Sequence, residues 1–200
     1  YYYLLKYKGW KGSVVRNLAT THLLDSIAKN FNEKCYEVPV GFKHISSKMD
    51  ETNSLIGGES SGGLTIRGHI KGKDGIFAAA LLVEMMCVTG KRLGDMLEEI
   101  HSQFGKFHMI ESNYIFSQEK KDLLMKLLFT EKKLPGFPIE VERVSYLDGV
   151  KVYFKDGSWV ITRFSGTEPL IRMFCEATSK EQAMRINECM VKFLGLENKH

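Results

Sequence analysis

A chain of 200 residues that is 44% hydrophobic and 26% charged carries enough apolar material for one large domain or two small ones. Its net charge of +4 is mild, favouring anionic small molecules but lacking the dense basic block that a nucleic-acid partner requires. The longest apolar run, residues 76–83, falls well short of the ~20 residues of a membrane span, and the opening YYYLLK is too short and too interrupted by Lys6 to be a secretory leader.

Residues 1–7 read as the end of a helix already under way, so the chain is expected to be a piece of something longer. Residues 12–19 are mostly apolar, as in a strand covered on both faces. Thr20 and Thr21 are placed to cap the next helix, whose Leu23, Leu24, Ile27, Ala28 and Phe31 share one face. A second strand runs over 35–40, with Pro39 marking its end. GFKH (41–44) leads into a short helix reaching about Met49, and a third strand over 54–56 runs into GGESSGG (57–63). Asp74 caps a helix that stops at Gly90. That helix is apolar on nearly every side, which predicts central packing. A helix over 93–104 closes this part. Alternating strands and helices imply an α/β layer with a largely parallel sheet.

After Gly105 the pattern changes. A strand over 107–116 precedes a helix capped by Ser117 and ended by LPGFP (134–138). Strands separated by Asp148-Gly149 and Asp156-Gly157 follow, both strong hairpin signals. In the middle strand Val150, Val152 and Phe154 alternate with Lys151, Tyr153 and Lys155, predicting a half-buried antiparallel strand. SKEQ (179–182) opens the last helix as a capping box. The order β-α-β-β-β-α is α+β. Cys35, Cys87, Cys175 and Cys189 are widely spaced, show no CxxC and sit in apolar or amphipathic runs. They are expected to be buried reduced thiols, which favours a cytoplasmic setting.

Three loops carry chemistry. In the first, Glu59 and Ser61 stand between glycine pairs. A carboxylate and a hydroxyl suit adjacent sugar hydroxyls, and the glycines permit close approach; a flexible solvated turn is the plainer reading. In the second, Lys43 follows a strand and opens a helix, where it would face an anion or simply be solvated. The third is RFSGTEPLIR (163–172), where Arg163 and Arg172 flank Ser165, Gly166 and Thr167. Paired guanidinium groups and turn N–H groups suit a phosphate that is held rather than cleaved. The residues alone leave open a hairpin with solvated arginines. His22, His44, His69, His101, His108 and His200 lack metal-ligand spacing, so no metal site is expected in this chain. Only His69 is a candidate cleft residue.

Taken in order, these loops resemble the C-terminal half of the α-D-phosphohexomutase family, the phosphoglucomutase/phosphomannomutase enzymes. GESSG (58–62) is similar to the family's sugar loop G-E-x-S-G, and RFSGTEPLIR to its phosphate loop R-x-S-G-T-E-P-x-x-R. VGFKHI (40–45) matches the segment that supplies an active-site lysine, here Lys43.

The resemblance implies an N-terminally truncated domain 3 over residues 1–105, α/β with a mixed, largely parallel sheet. An α+β domain 4 with a TATA-binding-protein-like fold would follow over 106–200. It implies a parent enzyme interconverting hexose 1-phosphate and hexose 6-phosphate through a phosphoserine and a bound glucose 1,6-bisphosphate. Mg2+ would be bound by domain 2. Neither T-A-S-H-N-P nor D-G-D-G-D-R occurs here, so domains 1 and 2 are the missing partners and the chain alone is expected to be inactive. In this reading Arg163, Ser165, Gly166, Thr167 and Arg172 hold phosphate, Glu59 and Ser61 hold the sugar, and Lys43 sits near the transferring group. The alternatives are a phosphoglucosamine or phosphopentose mutase, or a stand-alone phosphosugar-binding module.

Overall fold

The computed structural model describes residues 1–165 and 170–196, which fall into two compact units, Tyr1–Lys106 and Phe107–His200. In chain order, unit 1 holds α1 (Tyr2–Lys6), β1 (Val14–Asn17), α2 (Leu23–Asn30), β2 (Cys35–Val38) and α3 (Phe42–Thr52). It continues with β3 (Ile56–Gly58), β4 (Leu64–Ile66), α4 (Gly75–Thr89) and α5 (Leu93–Phe104). Its sheet has the order β2-β1-β3-β4. The helical crossovers make β1, β2 and β3 parallel, while the short glycine-rich connection makes β4 antiparallel to β3. The third strand lies two residues later than its sequence suggests. The first two glycines of the loop pair with β1, and β4 answers them across the hairpin.

Both faces of this sheet are covered. Val14 and Ile56 join Tyr2, Leu5, Ile27 and Met96 in one cluster; Val15 and Val38 join Ile45 and Met49 of α3 in another. Gly57 lies opposite Val15, on the α3 side. A Cβ there would stand 2.4 Å from Ile45 Cγ2 and 2.5 Å from Met49 Sδ, so only glycine lets α3 sit this close.

Two expectations about burial fail. Asp74 caps α4 through Phe77 N at 2.9 Å, and Gly90 ends it in the left-handed region, as expected. Yet α4 is not central. Its apolar side chains meet the core of its own unit along Phe77, Leu81 and Met85, one stripe at helical spacing, with Glu84 beside them accepting from Tyr3 Oη and Lys8 Nζ, while Ile76 is 87% and Val88 58% exposed. A helix that meets its core along a single stripe leaves its other sides open however apolar they are. Likewise Cys87 on α4 is exposed and Cys35 and Cys189 are partly so; Cys175 alone of the four free thiols is buried.

The five-residue α1 is too short to persist alone. It is tied to α5 by Glu99, whose carboxylate accepts from Lys6 Nζ at 2.6 Å, Tyr2 Oη at 2.7 Å, Tyr7 Oη at 3.0 Å and also from Lys91. The bonds from Lys6, Lys91 and Tyr2 outweigh desolvation and hold the Glu99 carboxyl well below the usual carboxylate range.

Unit 2 runs β5 (His108–Ile115), α6 (Gln118–Met125), a π-helical turn (Lys126–Thr130), β6 (Val141–Ser145), β7 (Val150–Phe154), β8 (Trp159–Phe164), β9 (Leu170–Ala177) and α7 (Lys180–Phe193). Four strands follow α6 rather than the three of the order expected from sequence. The sheet is antiparallel throughout, in the order β5-β9-β8-β7-β6. Val150, Val152, Phe154, Val160 and Met173 pack with Leu124, Leu128, Ile186 and Met190 from the helical layer.

β7 is not half-buried: all five of its residues are buried. Lys151 is 1% exposed, its Nζ lying 4.1 Å from the Trp159 ring centroid and 4.7 Å from that of Tyr153. Aromatic faces can receive an ammonium group that alternation assigns to solvent. Among the described residues no helix is long and apolar enough to cross a membrane.

Two stability predictions follow from unit 1. Gly57→Ala should destabilise by about 1–3 kcal/mol, read as a lower urea midpoint, whereas Gly72→Ala, with nothing near its Cβ, should cost far less. For Glu99 the folded pKa is depressed, so its contribution is complete above the unfolded value of about 4.3 and is lost as pH falls. Glu99→Gln should therefore be less stable at pH 7, and should lose less stability than wild type between pH 7 and pH 3.

Candidate functional site

Because β1, β2 and β3 are parallel, their carboxyl ends share one edge of the sheet. The chain passes from β1 to β2 on one side and returns to β3 on the other, so the strand order reverses between β1 and β3. In open α/β sheets that switch point is where ligands bind. Asn17 ends β1, Gly58 ends β3 and leads into Glu59, and Lys43 stands exposed in the first turn of α3, just after β2. The topology thus brings Lys43 and Glu59 to one edge. Ser61 is exposed at the tip of the loop, which is closed by Glu59 N to Gly63 O at 2.9 Å and Gly62 N to Glu59 O at 3.0 Å.

Glu59 is held from two directions. Its side chain is only 7% exposed, Asn17 Nδ2 donates to Oε1 at 3.2 Å, and Lys73 Nζ donates to Oε2 at 3.0 Å. Gly63 leaves room for the Lys73 stem; a Cβ there would stand 2.1 Å from Lys73 Cδ. Thr20 does not cap α2. Its Oγ1 accepts from Ser60 N at 3.1 Å, while His22 takes the N-cap position with no capping bond from its side chain and Thr21 Oγ1 accepts from Leu23 N. Thr20 and Glu59 border a cavity of about 220 Å³ floored by Leu24 and Leu64.

Asn17, Thr20 and Lys73 are contacts that sequence reading misses. Asn17 had a signal, as a polar residue closing an apolar strand. Lys73, which directly precedes the Asp74 cap of α4 and belongs to no recognisable motif, had none. His69 stacks on Phe77 at 4.0 Å, its Nε2 lies 3.0 Å from Asp74 Oδ2 at the start of α4, and it borders a different cavity of about 290 Å³ together with Ser46, Thr65 and Lys71.

In unit 2, Arg163 of β8 and Arg172 of β9 are direct cross-strand partners, so both project from one face. Ser165 N donates to Leu170 O at 2.9 Å and closes the base of the hairpin. Gly166 and Thr167 lie outside the described residues. Arg163 Nη2 lies 3.0 Å from Asp148 Oδ2, while its Nε is buried with no hydrogen-bond partner among the described residues. The Asp148-Gly149 turn presses onto it: Gly149 has φ +88, and a Cβ there would stand 2.5 Å from Thr162 O and 2.6 Å from Arg163 Cγ. Like charges directly opposite on a sheet repel, and an anion between them would relieve that repulsion. Among the described residues no group of three or more His, Cys, Asp or Glu side chains could hold a metal ion.

A family model described as "Phosphoglucomutase/phosphomannomutase, alpha/beta/alpha domain III" matches residues 1–104, and one described as "Phosphoglucomutase/phosphomannomutase, C-terminal domain" matches residues 124–192. The chain belongs to the phosphoglucomutase/phosphomannomutase family. A phosphoglucomutase/phosphomannomutase of Thermococcus kodakarensis is 34% identical over 92% of this chain. A phosphoglucosamine mutase of Methanococcus maripaludis is 27% identical over 88% of it. The chain spans 38% and 37% of the lengths of these two relatives. A solved phosphoglucomutase/phosphomannomutase family protein from Burkholderia thailandensis has a TM-score of 0.74 and 19% identity, covering 99% of this chain and 41% of its own. That likeness is one of fold: an α/β domain followed by an α+β domain.

Proposed function

We propose that this chain supplies sugar-binding and phosphate-binding groups to an enzyme that interconverts hexose 1-phosphate and hexose 6-phosphate. Residues 1–105 would serve as its third domain and 106–200 as its fourth. The observation that carries the reading is the Arg163–Arg172 pair, opposed on one face of an antiparallel hairpin in a chain of this family.

Arg163 and Arg172 would grip phosphate oxygens through charge-assisted bonds, with Ser165, Gly166 and Thr167 adding hydroxyl and backbone donors. Glu59 accepts from sugar hydroxyls, and Ser61 both donates and accepts. Lys73 keeps the Glu59 carboxylate in place. Lys43 adds positive charge at the same edge, near the group being transferred.

A mutase must hold the idle phosphate while the other one reacts, so this clamp works by positioning and charge rather than by covalent chemistry. The phosphoserine, and the carboxylates for the Mg2+ that the family implies, would belong to preceding domains of the parent polypeptide. The donor set for such an ion is absent among the described residues. Glucose 1,6-bisphosphate would be the bound intermediate, and the cytoplasm its setting. The phosphoglucosamine mutase among the relatives favours a second reading, an aminosugar phosphate as substrate. Comparing glucose 1-phosphate with glucosamine 1-phosphate as ligands separates the two.

Two outcomes are expected. The purified 200-residue chain should bind glucose 1-phosphate in a calorimeter yet produce no glucose 6-phosphate; turnover by this chain would refute the division of labour. Arg163→Ala and Arg172→Ala should each weaken inorganic phosphate binding by roughly 1.5–3 kcal/mol. Unchanged affinity in phosphorus NMR titrations would remove the clamp assignment.

A further inference from the structure

Every direction in the hydrogen-bond chain beneath the sugar loop is forced. Asn17 and Thr20 are 3% and 6% exposed, so their polar atoms must find partners inside the protein. Ala19 N can only donate, and it meets one end of the Asn17 amide at 2.9 Å; that end is therefore the oxygen, Oδ1. Thr20 Oγ1 donates its proton to the same oxygen at 2.9 Å, which leaves the hydroxyl lone pairs to accept from Ser60 N at 3.1 Å. The other end of the amide, Nδ2, is then the donor that faces Glu59 Oε1 at 3.2 Å. The turn after β1 thus grips the loop at two consecutive residues, Glu59 by its side chain and Ser60 by its backbone.

A loop with Gly57, Gly58, Gly62 and Gly63 around it has unusual backbone freedom, and a ligand that orders such a loop loses affinity by doing so. We infer that Asn17 and Thr20 are positioning residues for sugar recognition: they order Glu59 and Ser60 before the ligand arrives and fix where Ser61 begins. The inference rests on the reading of Glu59 and Ser61 as sugar ligands. It adds that affinity for the sugar, but not for phosphate, is set in part by two buried side chains that act through Glu59 and Ser60.

Thr20→Val and Thr20→Ser form the decisive pair, because valine keeps the shape and loses the hydroxyl while serine keeps the hydroxyl. Both are titrated, as the full 200-residue chain, with glucose 1-phosphate and separately with inorganic phosphate, and each melting temperature is recorded. The expected result for Thr20→Val is an affinity for glucose 1-phosphate about five- to tenfold lower, with inorganic phosphate unchanged. Thr20→Ser should match wild type for both ligands. Equal losses for the two ligands would mean a general structural defect and would overturn the inference. So would wild-type affinity for Thr20→Val together with a loss in Glu59→Gln, which leaves the sugar-loop reading standing. Wild-type affinity for glucose 1-phosphate in Glu59→Gln would instead overturn that reading, and the inference with it.

Discussion

Parallel pairing of β1 with β3, in register from Val14–Ile56 to Arg16–Gly58, is the constraint on which unit 1 depends. It sets Asn17 beside the start of the glycine-rich loop, and it requires glycine at 57 because α3 lies on that face. β1 is itself anchored by Arg16, whose Nε and Nη2 meet the Asp25 carboxylate at 2.7 and 3.1 Å and whose Nη1 meets Glu37 at 2.6 Å. Burial opposes the Arg16 charge, but the Asp25 hydrogen bonds and the Asp25 and Glu37 charges outweigh it and raise the pKa above the ordinary value. The Arg16 side chain is 3% exposed although that of Asp25 is 41% exposed, so removing an acidic partner is costly chiefly because it leaves the buried guanidinium short of a counter-charge. One strand is thereby fixed to α2 and to β2, and its carboxyl end is the base on which the glycine-rich loop is held.

Unit 2 solves a different problem. Two guanidinium groups opposed across a hairpin are unfavourable until something anionic lies between them. Asp148 offsets part of that charge at Arg163, and the close seat of Gly149 keeps the Asp148 turn against it. Rigid sheet elements carry the two charges, which is what the proposed phosphate clamp requires.

The candidate site stood out in the sequence because its residue types are unusual together. Glu59 and Ser61 among four glycines, and two arginines around Ser165, are combinations a plain turn does not need. The hidden part was whatever depends on a partner distant in sequence. Thr20 stands where a helix cap belongs, yet its hydroxyl serves Ser60, forty residues on. Lys73 reads as a solvated lysine until the fold carries it to Glu59. Lys151 alternates like a surface residue, and only the tertiary structure places it against the Trp159 ring.

The sequence by itself determined the two-part organisation, the hairpins at Asp148-Gly149 and Asp156-Gly157 and the Asp74 cap, and it singled out the candidate loops. These follow from local preferences for backbone conformation and from hydrophobic periodicity. The tertiary structure decided which polar groups meet: Asn17 with Glu59, Arg163 with Asp148, Arg16 with Asp25 and Glu37. It also decided that α4 buries one stripe and leaves the rest open. Periodicity encodes how hydrophobic each face is, whereas what lies against that face is set by contacts between residues far apart along the chain.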